Sequence, residues 1–206
     1  MMDKAYLGID AGSSSVKVCA FNFHGELLAK ASRETKIISK SSVHHELDLD
    51  EYWEHVVDAI KDVTAKVDNI VSIGLSVACP TLVLLDADKK PVCNAITYLD
   101  GRSEGFIHQT LGSEKEFVSS LTHNSPSPSA CWVGTLGWLQ QQQPELMKRV
   151  YKVTLFNGYL ALRLGANKIG IDPTQASYSG AVALASSPKW SKELLKFWKF
   201  DHNILP

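Results

Sequence analysis

In this 206-residue chain, the side chains best placed to do chemistry together lie near its start, in Gly8-Ile9-Asp10-Ala11-Gly12-Ser13-Ser14-Ser15-Val16-Lys17. A carboxylate closes an apolar, strand-like run, and a turn of small residues follows at once. Glycine lets a backbone approach a phosphate closely, successive amides and hydroxyls can donate to its oxygens, and Lys17 adds a cation. Asp10 suits a hydrated Mg²⁺, an ion that keeps most of its waters and takes only one or two carboxylates. An ordinary Gly- and Ser-rich hairpin turn would satisfy the same residues without a ligand, so this segment alone leaves both readings open.

Other reactive side chains carry less. Cys19, Cys79, Cys93 and Cys131 are scattered with no C-x-x-C pair, and read as reduced thiols. Cys79 has no neighbouring cation or base in sequence to activate it, so packing is its expected role. His44-His45-Glu46 lacks the i, i+4 spacing that lets helical ligands converge on one ion, and a solvated loop is expected there. Trp132, Trp138, Trp190 and Trp198 fall in helical context and read mostly as core or interface anchors.

The elements that must position the first motif follow from periodicity. Residues 5–10, 16–21 and 26–31 alternate as three strands separated by turn formers, an antiparallel meander. Asp48 is placed as an N-cap with Glu51 three residues on, and Trp53, Val56, Val57, Ile60 and Val67 recur at helical spacing, predicting a helix over 50–66. Strands are expected at 70–76 and 82–86, around a loop at Ala78-Cys79-Pro80. A helix between strands implies a parallel crossover. The order β-β-β-α-β matches the half-domain shared by ribonuclease-H-like and actin-like folds, an α/β architecture with a mixed sheet. Beyond Asp100-Gly101-Arg102 the pattern turns mostly helical, with helices expected near 103–110, 133–142, 156–164 and 191–199. The polar, proline-broken stretch 122–129 reads as a connector.

Length and composition suit one large folded domain or two small ones, and exclude several partners. Hydrophobic residues make up 45% and charged residues 21%, as in an ordinary packed protein. A net charge of -1 provides no field to hold a nucleic acid or an acidic membrane face. No export signal and no apolar run long enough to span a bilayer is visible, so a cytoplasmic location is expected.

Asp-x-Gly followed by three Ser/Thr, a spacer and Lys resembles the first phosphate motif of the FGGY carbohydrate kinases. Ile73-Gly74-Leu75-Ser76, Leu82 to Asp88, Pro91, Ala95-Ile96 and Tyr98-Leu99-Asp100-Gly101-Arg102 are similar to the family's second block at matching spacing. Gly137-Trp138-Leu139, Asn157-Gly158-Tyr159-Leu160 and Asp172 to Ser177 track its helical segment more loosely. The resemblance implies an actin-like ATPase-superfamily kinase of two lobes that transfers the γ-phosphate of ATP to a sugar or polyol hydroxyl. It assigns Asp10 to Mg²⁺, Gly12, Ser13, Ser14, Ser15 and Lys17 to the phosphates, and Ala78, Cys79, Pro80 and Thr81 to the sugar. Asp100 and Arg102 look like the family's Trp-x-Asp-x-Arg block, with Tyr98 at the Trp position. They would either contact the sugar or form a salt bridge that fixes the loop.

Two departures stand out. A xylulokinase-like sugar loop reads Gln-Met-His, whereas Ala78-Cys79-Pro80 has no long polar donor, so xylulose is not implied as the substrate. The family's Gly-Asp block, which supplies the general base, is not found in this sequence. The expectation is an N-terminal sugar-binding lobe, residues 1–206, without a catalytic residue of its own and inactive until a C-terminal lobe joins it in cis or in trans. A lobe alone would expose apolar surface and could self-associate into a homo-oligomer. The alternative is a binding module that kept the fold and catalyses nothing.

Overall fold

The computed structural model describes residues 4–184, 189–199 and 202–206. In chain order the elements are β1 (Ala5–Ala11), β2 (Ser15–Asn22), β3 (Leu27–Glu34), β4 (Ile38–Ser41), β5 (His44–Leu47) and α1 (Leu49–Thr64). Then come β6 (Ile70–Val77), β7 (Leu82–Leu85), β8 (Ala95–Ile96), α2 (Glu104–Leu111), α3 (Lys115–Thr122), α4 (Trp132–Gln142) and α5 (Pro144–Met147). The rest is β9 (Lys152–Leu155), α6 (Phe156–Arg163), α7 (Pro173–Ser177), β10 (Val182–Ala183), β11 (Lys189–Trp190) and α8 (Lys192–Phe197). The chain divides into two compact units, residues 1–38 with 47–78, and residues 39–46 with 79–206.

The first unit is built on a four-stranded sheet of order β3-β2-β1-β6. β1 and β2 are antiparallel, as are β2 and β3, while β6 runs parallel to β1 after the α1 crossover. The expected meander and crossover are therefore present. Alternation along β1 and β2 sends Leu7, Ile9, Val16, Val18 and Ala20 to one buried face. Against it α1 packs Tyr52, Val56, Ala59 and Val63, with Val56 and Val63 each contributing about 1.5–3 kcal/mol. The helix starts where its capping residue dictates: the Asp48 carboxylate accepts from the amides of Asp50 and Glu51, both at 3.0 Å.

The second unit contains a five-stranded sheet of order β4-β5-β8-β7-β9. Strands β4 and β9 and helix α3 lie where the sequence pattern predicts no element. The His44-His45-Glu46 expectation is corrected directly: these residues form a strand, and Glu46 is buried instead of solvated. Strand alternation explains the error. His44 faces Glu46, while His45 turns to the opposite side and bonds Ser39 and the carbonyl of Ser42.

Helices cover this sheet around a core that includes Leu84, Ile107, Trp132, Leu136, Val153, Leu155, Leu194 and Trp198. Trp138 and Trp190 pack against the same core. Helices α2 and α4 approach so closely that a Cβ at Gly134 would lie 2.5 Å from a methylene of Ile107, so only glycine fits. No helix among the described residues is long and apolar enough to cross a membrane.

Candidate active site

The turn after β1 is held from beneath. The Tyr52 hydroxyl donates to the carbonyl of Gly12 at 2.8 Å, Thr35 Oγ1 to that of Ser13 at 3.2 Å, and the Thr35 amide to that of Ser14 at 3.0 Å. The Gly12 amide closes the hairpin on the carbonyl of Ser15 at 3.0 Å. All four carbonyls of residues 12–15 are thus engaged inside the protein. Because a planar trans peptide sets N–H opposite to C=O, the amides of Ser13, Ser14 and Ser15 are directed the other way. The hydroxyls of these three serines make no hydrogen bond among the described residues. A Cβ on Gly12 would sit 3.0 Å from the Ser15 carbonyl, which keeps the turn tight and bare.

Tyr52 lies fully buried on α1, and burial together with the nearby Asp10 charge pushes its phenol pKa well above the ordinary value, so it remains a donor. Asp10 and Lys17 are cross-strand partners at the mouth of the turn, on the sheet face opposite α1. Lys17 Nζ stands 3.9 Å from Asp10 Oδ2, with both side chains more than half exposed at 59% and 57%. A pair this open is weak and leaves the carboxylate available. Beside it lies a groove of about 470 Å³ lined by Gly8, Asp10, Lys17, Cys19, Phe21 and Ser76. The arrangement offers donors for anionic oxygens next to one free carboxylate, the donor set that suits a phosphate and a hydrated divalent cation.

The predicted sugar loop is less accessible. The Ala78 amide is anchored on the carbonyl of Ala11 at 2.9 Å, the Cys79-Pro80 peptide is cis, and Pro80 and Thr81 are buried at the start of β7. Ala78 and Cys79 keep partial exposure. Burial and the Asp172 carboxylate push the Cys79 thiol up to about 11, so it is a protonated, unreactive thiol at neutral pH.

Asp100 and Arg102 form a sealed assembly. Asp100 Oδ2 accepts from the His45 amide at 2.8 Å, Oδ1 from the Arg102 amide at 3.1 Å, and both oxygens from Arg102 Nε at 2.9 Å. The Asp100 side chain is 1% exposed and that of Arg102 10%. The salt bridge expected as one alternative for this pair is present. Arg102 also stacks over Trp138 at 5.6 Å and reaches Glu46 at 3.2 Å.

Glu46, which sequence reading placed in a loop, is the centre of this cluster. Its carboxylate meets Lys40 at 2.9 Å, His44 Nε2 at 2.6 Å and Asn94 Nδ2 at 3.3 Å besides Arg102. Burial opposes its ionisation, but the Lys40 and His44 hydrogen bonds and the Arg102 charge outweigh burial and hold it at about 2. Thr35 and Tyr52, which tie down the turn of residues 12–15, were likewise missed. Tyr52 follows the helical spacing of α1 and reads as core; its hydroxyl contact with residue 12 has no local signature.

Comparison with known proteins agrees with this geometry. The model of the N-terminal domain of the FGGY family of carbohydrate kinases matches residues 5–206. A xylulose kinase of Lactococcus lactis subsp. lactis (strain IL1403) is 29% identical, covering 97% of this chain and 40% of that protein. A glycerol kinase of Aquifex aeolicus (strain VF5) is 28% identical over 97% of this chain and 42% of its own length. Among solved structures, a gluconate kinase from Lactobacillus acidophilus superposes with a TM-score of 0.90 at 25% identity, covering 99% of this chain and 41% of that one. The chain thus spans about 40% of the length of the curated relatives it matches. The fold is the α/β, mixed-sheet half of an actin-like ATPase, and the chain belongs to the FGGY family of carbohydrate kinases, within its N-terminal domain.

Proposed function

We propose that residues 1–206 form the N-terminal, sugar-binding lobe of an ATP-dependent kinase that phosphorylates a sugar or polyol hydroxyl. The observation that carries this reading is the turn of residues 12–15, whose carbonyls are all tied inward while three amides and three hydroxyls are left facing outward beside the exposed Asp10. Family membership supplies the reaction class.

In this reading Ser13, Ser14 and Ser15 donate to the terminal phosphate oxygens, and Gly12 keeps the backbone close. Lys17 adds positive charge at the rim. Asp10 would hold Mg²⁺, which when bound neutralises charge on the phosphates. The transfer breaks the bond between the γ-phosphorus and the bridging oxygen of ADP and forms one to the acceptor oxygen, whose proton passes to a general base. No carboxylate of this chain is assigned that role, so the base and the adenosine contacts come from a C-terminal lobe, in cis or in trans. ATP-dependent chemistry of this kind fits a cytoplasmic location.

Ala78, Cys79, Pro80 and Thr81 line the acceptor side by shape more than by donors. With no polar side chain at Ala78, Cys79 or Pro80, discrimination among acceptors falls to residues outside this loop. Asp100 and Arg102 hold their loop in place through the ion pair. The same loop favours the alternative of a non-catalytic sugar- or protein-binding module.

A polypeptide carrying both lobes is expected to release ADP from ATP only with Mg²⁺ and an acceptor from a panel of ketoses, polyols and aldonates. Asp10→Ala should lower that rate by on the order of 10²–10³-fold. In the present chain, titration with Mg²⁺ and ATP should move the amide resonances of residues 12–17, and Asp10→Ala should remove the effect. Undiminished turnover in the variant, or resonance shifts elsewhere, sinks the metal and phosphate assignments; absence of turnover with every acceptor selects the binding module.

A further inference from the structure

The turn of residues 12–15 is contiguous in the chain, but the groups that fix its shape come from two other segments. Tyr52 stands in the first turn of α1, and Thr35 directly follows β3. Both are buried, and they lie with the turn in the first unit. Each peptide plane carries the carbonyl of one residue and the amide of the next, rigidly opposed. A donor on the Gly12 carbonyl therefore fixes the Ser13 amide, and donors on the Ser13 and Ser14 carbonyls fix the amides of Ser14 and Ser15.

Three donors meet these three carbonyls one for one. The Tyr52 hydroxyl holds the first at 2.8 Å, Thr35 Oγ1 the second at 3.2 Å and the Thr35 amide the third at 3.0 Å. The need is greatest at residue 12. Glycine restrains its own backbone less than any other residue, so the plane between Gly12 and Ser13 can turn over unless a group outside the hairpin holds it. Of the buried side chains of α1, Leu49, Val56, Ala59 and Val63 are aliphatic, and Tyr52 sets its polar atom on this carbonyl.

We propose that Tyr52 and Thr35 are positioning residues for the bound phosphate, each assigned to its own amide. Tyr52 sets the amide of Ser13, the Thr35 hydroxyl sets that of Ser14, and the Thr35 backbone sets that of Ser15. Neither side chain reaches the ligand; each acts by holding a peptide plane from beneath. With its tether removed, a carbonyl is left buried without a donor, and its plane is free to rotate the opposing amide away from the anion. This inference rests on the phosphate reading of the turn and adds to it which residues set the direction of each donor.

In the 206-residue chain, titration with Mg²⁺ and ATP should move the amide resonances of Ser13, Ser14 and Ser15. Tyr52→Phe should diminish the movement most at Ser13. Thr35→Val should diminish it most at Ser14 and spare Ser15, whose plane the backbone of residue 35 still holds. Each variant should bind ATP about tenfold more weakly, with far-ultraviolet circular dichroism unchanged because both substitutions keep the shape of the side chain. Thr35→Ser returns the hydroxyl and should restore the response at Ser14. If the unmutated chain shows no movement at these amides, the phosphate reading falls and this inference with it. If it responds, and both variants bind and respond as it does, the inference alone falls. A purely structural role predicts a uniform effect, so equal loss at all three amides in either variant overturns the assignment; so does Thr35→Ser behaving like Thr35→Val.

Discussion

Asp10 and Asp100 look alike in sequence, each closing an apolar stretch before a glycine-bearing turn and a basic residue. The fold treats them oppositely. The Asp10 side chain is 57% exposed and its lysine stands 3.9 Å away, whereas that of Asp100 is 1% exposed and bonded on both oxygens by Arg102 and the His45 amide. An open carboxylate retains coordination sites for a cation, while a sealed one has spent them on structure. Motif membership alone does not separate the two roles; the count of free lone pairs does.

The sharpest way to break this contrast is to cut the sealed pair. Arg102→Met leaves Asp100 and Glu46 buried without their guanidinium, and is expected to cost about 3–5 kcal/mol in urea unfolding. A cost near zero would place the Asp100 cluster with the exposed pairs and erase the distinction.

Acid should act on the sealed cluster next. Glu46 titrates at about 2 in the folded protein against 4.5 ordinarily, so its folded pKa is depressed. Its contribution is therefore complete above about pH 5 and is lost as pH falls through the interval down to about 2. Allowing for partial hydration of the cluster, this amounts to about 2 kcal/mol, visible as a Glu46-dependent fall in melting temperature that Glu46→Gln abolishes. Equal acid sensitivity in the Gln variant would remove Glu46 from the centre of the cluster.

The smallest effect belongs to the open pair. Asp10→Asn and Lys17→Met, singly or together, should shift unfolding free energy by less than about 0.5 kcal/mol, although the first disables the proposed metal site. A large loss of stability would mean that Asp10 is structural, and the contrast with Asp100 would collapse.

The parts of this molecule that the sequence showed are those whose signals are local. The turn of residues 12–15 is contiguous, α1 has its own apolar period and cap, and β1, β2, β3 and β6 carry alternating or apolar runs. The hairpin β4-β5 was hidden because Ile-Ser-Lys-Ser and His-His-Glu-Leu hold few apolar residues to mark a period. Ser39, Lys40 and Ser41 stay exposed, while Glu46 is buried against Asn94 and Arg102 from later in the chain.

Local chemistry alone thus determined the family, the α/β class and the place of the Asp10 to Lys17 turn in the chain, because these depend on residues adjacent in the chain. Which carboxylate would stay open was decided by tertiary structure. Tyr52 and Thr35 pull the turn's carbonyls inward, and Asn94 and Arg102 from later segments join Lys40 and His44 of the same hairpin on Glu46. Burial and the number of donors around a charged group are sums over the folded neighbourhood, and no stretch of sequence contains that sum.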